Sequence, residues 1–307
     1  MTKSNVIQPV VNWHLTEACN YHCHYCYAKW QDAPCPRELV KHPAKSTTLL
    51  QKLYEYLHPE NPDNPFHGTG IFGVPRLNFA GGEPLLHSSK LLDLAHYARD
   101  IGFELSAITN GSLLNSRVGS ELLLLLGWLG VSIDSLNKET NLGIGRVSRA
   151  DRILGLVQLE EILATASEKN PKLKLKLNTV VNKLNCNEDL SSLIRSLAPK
   201  KWKLLRLLPV VDRTLVISDL QFQRFLHQHK AFSDIICAED NQDMGYSYLM
   251  IDPYGRFFQN RLNDPQGGYV YSSPILEVGV GAAFSEIKFC ANRFAKRYQI
   301  QFEERKA

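Results

Sequence analysis

The sequence predicts an α/β fold of repeated strand–helix units: a partial (βα)6 barrel with a C-terminal extension capping the barrel mouth. Three observations lead there. Six short apolar segments, at 9–15, 76–82, 104–112, 128–135, 172–181 and 201–211, have the length of buried strands. Between and after them, 47–58, 87–101, 116–126, 151–169, 187–197 and 218–230 carry apolar residues at three- and four-residue spacing, the pattern of amphipathic helices. Strands that alternate with helices demand a parallel sheet. Six units with no repeat of fixed period suit a partly closed barrel better than a complete eight-fold one.

Composition narrows the setting. The 307 residues are 44% hydrophobic and 21% charged, enough apolar content for a full core, which excludes a disordered or fibrous chain. A net charge of +4 is too small for bulk attraction to nucleic acid, so no nucleic-acid partner is expected. The longest apolar run, Leu122 to Val131, is about half the roughly 20 residues that cross a bilayer. The N-terminus has no apolar stretch of the signal-peptide kind, so the expectation is a cytoplasmic protein that does not engage membranes. Residues 59–75 are rich in Pro, Gly and Asn and read as a long surface loop. Residues 241–280 alternate like antiparallel strands joined at Pro253-Tyr254-Gly255. No segment has linker composition, so residues 1–240 form the barrel and 241–307 an extension of the same compact domain.

Seven cysteines are too few and too scattered for a disulfide framework, but Cys19, Cys23 and Cys26 fall within eight residues directly after the first strand. α/β barrels place their chemistry at that end of the strands. Three thiolates on one loop can converge on a single centre, and soft sulfur selects zinc or an iron–sulfur cluster. Spacing alone leaves zinc open, with His14, His22 or His24 as a fourth ligand, and also a fortuitous group of buried thiols. A second motif, Gly81-Gly82-Glu83-Pro84, follows the second strand; paired glycines let backbone approach a ligand, and the carboxylate can take an ammonium group.

Together, CxxxCxxC with an aromatic residue before its last cysteine and GGEP after the next strand resemble the radical S-adenosylmethionine superfamily. The resemblance implies a barrel of that type with a 4Fe–4S cluster on Cys19, Cys23 and Cys26, and S-adenosylmethionine chelating the open iron. Tyr25 would lie against the adenine. Gly81, Gly82 and Glu83 would hold the methionine amino group, and Asn110, Ser132 and Arg146 would contact ribose and carboxylate.

Longer strings narrow the resemblance to the viperin family: NWHLTEACNYHCHYCY, RLNFAGGEPLL, ITNGSLL, SIDSLNKETNLGIGR, LKLNTVVNKLNCNEDL, KWKLLRLLPV and SYLMIDPYGRF, in that order. It implies an antiviral lyase, a nucleotide dehydratase that converts a ribonucleoside triphosphate to its 3′-deoxy-3′,4′-didehydro form, a chain terminator. CTP or UTP is the substrate the family favours. The implied reaction starts with removal of the C4′ hydrogen by a 5′-deoxyadenosyl radical. A small electron donor such as flavodoxin or ferredoxin would supply the electron, and the protein would be a prokaryotic monomer. Rival expectations are a radical enzyme acting on a peptide or cofactor precursor, and a zinc-stabilised binding protein without catalysis.

A triphosphate needs cations, and strand periodicity says where they face. In LKLKLNTVV, Lys174, Lys176 and Asn178 share one face and the leucines the other. By the same parity Lys201 and Lys203 oppose Trp202, Arg76 shares a face with Asn78, and Asn12 with His14. Parallel strands normally read as continuous apolar runs, so basic residues on several of them call for an anionic ligand. The family's triphosphate contacts fall on Arg76, Lys176, Lys203 and Arg146, with Lys201 a further candidate and Asn178 near the ribose. Lys176 and Asn178 are expected near the C-terminal end of their strand. His14 reads equally as a core residue or a substrate contact. Tyr248 matches a family tyrosine near the reacting sugar. Residues 241–280, including Tyr248 and the Gln266–Tyr269 loop, are expected to carry base preference. His227 and His229 read as solvated.

Overall fold

The computed structural model describes residues 8–26, 35–148, 153–209, 213–240, 245–260 and 269–299. All six expected strands are present: β1 Val10–His14, β2 Arg76–Ala80, β3 Glu104–Thr109, β4 Trp128–Ser132, β5 Lys174–Val181 and β6 Lys201–Arg206. They pair in chain order, each parallel to the next. The crossovers carry helices α1 Pro43–Leu57, α2 Ser88–Asp100, α3 Arg117–Leu123, α4 Lys138–Ile144, α5 Leu156–Lys169 and α6 Ser191–Leu197, and α7 Asp219–Gln228 follows β6. The short α4 was not anticipated; Asn137 caps its N-terminus and Gly145, in the left-handed conformation, ends it.

Two findings concern the sheet. Beyond the six expected strand–helix units a further parallel strand, β7 Ile236–Glu239, pairs with β6. Its four residues are too few to show a period. On the other side, β8 Leu249–Ile251 runs parallel to β1 and turns back through Asp252–Gly255 into β9 Arg256–Asn260 and β10 Tyr269–Pro274. The C-terminal strands, expected as a hairpin over the mouth, thus continue the main sheet. Among the described residues the order β10-β9-β8-β1-β2-β3-β4-β5-β6-β7 has two unpaired edges, an open arrangement.

The sheet is nevertheless curled. Tyr248, which immediately precedes β8, hydrogen-bonds Lys203 of β6 and Glu239 of β7. In a flat sheet β8 and β6 would lie about 29 Å apart, six spacings of about 4.8 Å. The contact requires the strands to wrap around a common interior.

Each strand divides its residues as the periodicity requires. Val11, Trp13, Leu77, Phe79, Leu105, Leu129, Leu177, Trp202 and Leu204 point to the buried helix layer. α1 meets them with Leu49, Leu50 and Leu53, and α2 with Leu91, Leu94 and Ala95. The opposite face carries Asn12, Asn78, Ser106, Lys176, Asn178 and Lys203, aligned by register: Asn12 with Asn78, Asn78 with Ser106, Lys176 with Lys201, and Asn178 with Lys203.

The loop at 59–75 is anchored more deeply than its composition suggests. Phe66 and Ile71 are buried, and Phe66 packs against Phe289 and Phe294, the latter on α10 Ala291–Gln299 after the short helices α8 Ile275–Val278 and α9 Val280–Ser285. His229 is likewise fully buried: its Nε2 accepts from the Leu190 N–H at 3.0 Å and its Nδ1 bonds the Phe225 carbonyl at 2.9 Å. Among the described residues no helix is long and apolar enough to cross a membrane. Phe66→Ala should lower stability by about 3–5 kcal/mol, the usual cost of emptying an aromatic core site. Urea denaturation checks this; a loss under about 1 kcal/mol would mean that the loop is not part of the core.

Candidate active site

The cysteine loop and the GGEP turn are built against each other. Beyond the strand ends, the β1–β2 pairing continues as Leu15 N–H to Ala80 O at 2.9 Å, Gly82 N–H to Thr16 O at 2.8 Å and Glu83 N–H to Ala18 O at 2.9 Å. A Cβ on Gly82 would lie 1.8 Å from the Ala18 carbonyl oxygen, and one on Gly81 2.8 Å from that of Thr16. The two glycines therefore admit the cysteine loop itself. From the other side the fully buried Glu38 accepts bonds from the Thr16 hydroxyl at 2.8 Å and the Glu17 N–H at 3.0 Å, with His87 Nε2 at 3.3 Å from its second oxygen. Nothing local in the sequence marks Glu38; only the fold brings it to the loop.

Glu83 is fully buried. One oxygen accepts from the Leu85 N–H at 3.1 Å and the Thr109 hydroxyl at 2.8 Å, the other from the Asn110 N–H at 2.8 Å. Burial pushes its carboxyl up to about 7, against the pull of those donors. Asn110 donates to Asn20 at 2.8 Å and reaches the Cys19 sulfur at 3.9 Å, so β3 is tied to the cysteine loop.

Arg146 follows the left-handed Gly145 into a buried pocket. It donates to the Ser132 carbonyl at 2.5 Å and the Tyr25 hydroxyl at 3.0 Å, reaches the Cys23 sulfur at 3.8 Å and pairs with Asp134 at 3.5 Å. The Tyr25 hydroxyl also bonds Asp134, whose other oxygen accepts from the Val180 N–H at 2.8 Å. Burial opposes the Arg146 charge, but Asp134, Tyr25 and Cys23 together outweigh it and the guanidinium stays protonated. Burial pushes the Cys19 thiol up to about 11 and raises Cys23 as well. Asp134, missed in the sequence, stands two residues after Ser132, and that proximity is the signal that could have found it.

The inner face of the sheet holds the remaining candidates. A polar chain crosses its strands: Asn12 donates to Leu249 O at 3.2 Å, Asn78 to Asn12 at 2.9 Å and Ser106 to Asn78 at 2.8 Å. Lys176 lies over Gly130, where a Cβ would come within 3.1 Å of its stem. The buried Lys203 pairs with Glu239 at 2.9 Å and bonds Tyr248, which itself donates to Glu239 at 2.5 Å. Glu239 sits on the strand that sequence reasoning missed. The Arg76 guanidinium stands over the Trp128 ring at 5.9 Å, and its Nε is buried without a hydrogen-bond partner among the described residues. His14 is buried edge-on to Phe258, and burial lowers its pKa to about 4, which leaves it neutral near pH 7. Residues 266–268 lie outside the described residues.

One placement differs from expectation. Arg76 and Lys201 open their strands, and Lys176 and Lys203 stand third in theirs, so these cations occupy the N-terminal halves of the strands. Lys176 is thus not near the C-terminal end of β5 as expected. The cysteines lie beyond the C-terminal end of β1, so sulfur stands at one end of the interior and positive charge toward the other.

The family model described as the radical SAM superfamily matches residues 13–181. The chain belongs to this superfamily. It is 44% identical to an S-adenosylmethionine-dependent nucleotide dehydratase of Psychrobacter lutiphocae, over 94% of each chain. It is 41% identical to one of Pseudoalteromonas ulvae, over 96% of this chain and 94% of the relative. These identities over nearly the whole length place it in the viperin family, beside bacterial relatives. The solved structure of native anSMEcpe with bound AdoMet and Kp18Cys peptide shares the fold, with a TM-score of 0.63 at 14% identity over 96% of this chain and 84% of that one.

The superfamily's cofactors are a 4Fe–4S cluster and S-adenosylmethionine, and the residues fit them. Cys19, Cys23 and Cys26 are partly buried thiols on one loop, none of them in a disulfide, the donor chemistry an iron–sulfur cluster takes. The Gly82 contact leaves that loop no room to drop toward GGEP.

Gly82→Ala should therefore abolish cluster loading, read as iron content and visible absorbance of the anaerobically reconstituted protein. Loading near the native level would show that the loop adapts to the added methyl. A second expectation concerns pH. With its folded pKa raised from 4.5 to about 7, Glu83 costs nothing below about pH 4.5 and progressively more as pH rises to about 7. The native protein should lose about 3 kcal/mol relative to Glu83→Gln across that window, measured by denaturant unfolding. A difference independent of pH would contradict the raised pKa.

Proposed function

We propose that this protein is a radical S-adenosylmethionine nucleotide dehydratase acting on a ribonucleoside triphosphate, with CTP or UTP preferred, and that it serves antiviral defence. One observation carries the reading: an interior with thiols at one end and Arg76, Lys176, Lys201 and Lys203 on the wall toward the other, in a chain 44% identical to a protein of that name. A nucleoside triphosphate has the matching polarity.

In this reading Cys19, Cys23 and Cys26 ligate the cluster. Gly81, Gly82 and Glu83 hold the methionine amino group, Tyr25 faces the adenine, and Asn110, Ser132 and Arg146 hold ribose and carboxylate. The cluster and S-adenosylmethionine, once bound and supplied with an electron by a flavodoxin or ferredoxin, provide the 5′-deoxyadenosyl radical that removes the C4′ hydrogen. The protein's own part is position. Lys176, Lys201, Lys203 and Arg76 hold the triphosphate away from the cysteine loop, which directs the sugar toward it. Asn12, Asn78, Asn178 and His14 offer hydrogen bonds along the intervening wall, and the neutral His14 does so without adding charge. Tyr248 reaches into the interior beside the sugar, its hydroxyl fixed between Lys203 and Glu239. Base preference resides in residues 241–280.

The test is to incubate the reconstituted protein with S-adenosylmethionine, a reductant and each of the four ribonucleoside triphosphates, following 5′-deoxyadenosine. A pyrimidine triphosphate should stimulate its formation most. Stimulation by none of the four would overturn the reading. Lys176→Ala should weaken triphosphate binding by about 1.5–3 kcal/mol, as for a lost charged hydrogen bond, and leave nucleoside binding unchanged. Equal losses for both ligands would show that Lys176 does not read phosphate.

A further inference from the structure

Three N–H groups are aimed at two of the cysteine sulfurs. The Tyr21 amide lies 3.4 Å from Cys19 Sγ, Asn110 Nδ2 3.9 Å from the same atom, and Arg146 Nη1 3.8 Å from Cys23 Sγ. The two side-chain donors are held rigidly. Asn110 also donates to Asn20 at 2.8 Å, while its own oxygen accepts from the Ser112 N–H at 2.9 Å and hydroxyl at 2.6 Å. Arg146 is gripped by the Ser132 carbonyl, the Tyr25 hydroxyl and Asp134. Arg146 is 8% exposed and Asp134 1%, so water does not screen the pair.

We infer that Arg146 and Asn110 raise the reduction potential of the iron–sulfur cluster by hydrogen-bonding its cysteine sulfurs, and that Asp134 aims Arg146 and damps its charge. The inference rests on the proposed ligation by Cys19, Cys23 and Cys26. Its physical basis is the sign of the charge that reduction adds. Three thiolates outweigh the positive charge of the oxidised cluster core, and one electron from an external reductant makes the assembly more anionic. Donors to the sulfurs stabilise the more anionic state, and hydrogen bonds to sulfur are a recognised control of cluster potential. A guanidinium adds a full charge, which a carboxylate 3.5 Å away offsets. Arg146 and Asp134 therefore act in opposite directions on one quantity. A merely structural role would not produce that, since breaking a buried ion pair from either side destabilises the fold alike.

The experiment is an equilibrium redox titration of reconstituted protein without S-adenosylmethionine, following the electron paramagnetic resonance signal of the reduced cluster. Iron content is measured first. Arg146→Gln should lower the potential, making reduction at least about tenfold less favourable, or about 59 mV for one electron. Asn110→Ala should lower it less, and Asp134→Asn should raise it. If Arg146→Gln does not load, opposite shifts in Asn110→Ala and Asp134→Asn still support the inference, and shifts of one sign or none overturn it. An Arg146→Gln protein with unchanged potential but weakened S-adenosylmethionine binding would overturn it in favour of a role confined to the cofactor. A Cys23→Ala protein that keeps its cluster would instead remove the ligation reading, a failure distinguishable from that of the potentials.

Discussion

The backbone of Gly81–Glu83 lies directly against the backbone of Thr16–Cys19, and the rest of the site depends on that approach. Any side chain at position 82 would enter the Ala18 carbonyl. Because the approach is made, the pairing of β1 and β2 continues past the strands, and the cysteine loop leaves the sheet at a fixed height and angle. The same turn delivers Glu83 beneath the loop, where its carboxylate collects bonds from Leu85, Thr109 and Asn110. Asn110 then reaches Asn20 and Cys19, and so the end of a third strand is locked to the loop. Glu38 closes the arrangement from the outside, through Thr16 and Glu17.

The interior shows a second constraint, the cost of placing polar groups on a parallel sheet. Such strands are usually apolar on both faces because both are covered. Here one face is, and the other carries amides, hydroxyls and lysines that must find partners. Some partners are internal: Asn12, Asn78 and Ser106 satisfy one another across three strands, and Lys203 pairs with Glu239 and Tyr248. The Lys203 contacts also join two distant parts of the sheet, so the curl that creates the interior is fixed by side chains of the interior. The buried Nε of Arg76 has no hydrogen-bond partner among the described residues.

Much of this was legible in the sequence because it is periodic or local. The six strands that alternate with helices have the right length and spacing, and the parity of Lys176, Asn178, Lys201 and Lys203 follows from strand geometry alone. The cysteine spacing and the GGEP turn are local motifs. What escaped was short or long-range. β7 has four residues and no readable period, and the second parallel partner of β1, on the side away from β2, is β8, more than two hundred residues later. Glu38 and Glu239 are single carboxylates in unremarkable surroundings, and they, like Asp134 beside Ser132, each acquire a role from a side chain outside their own segment. The height of Lys176 depended on where its strand begins: the segment 172–181 starts before β5 does, which moved Lys176 toward the C-terminal end.

The central claim is that the interior orients a ribonucleoside triphosphate with its sugar toward the cysteine loop, so that one hydrogen is taken from C4′. The most direct measurement is isotope transfer with the reconstituted protein and a pyrimidine ribonucleoside triphosphate deuterated at C4′, with the 5′-deoxyadenosine analysed by mass spectrometry. The account predicts that the product carries one deuterium from the nucleotide. Unlabelled 5′-deoxyadenosine from the C4′-deuterated substrate, with label transferred from C3′-deuterated nucleotide instead, would contradict it.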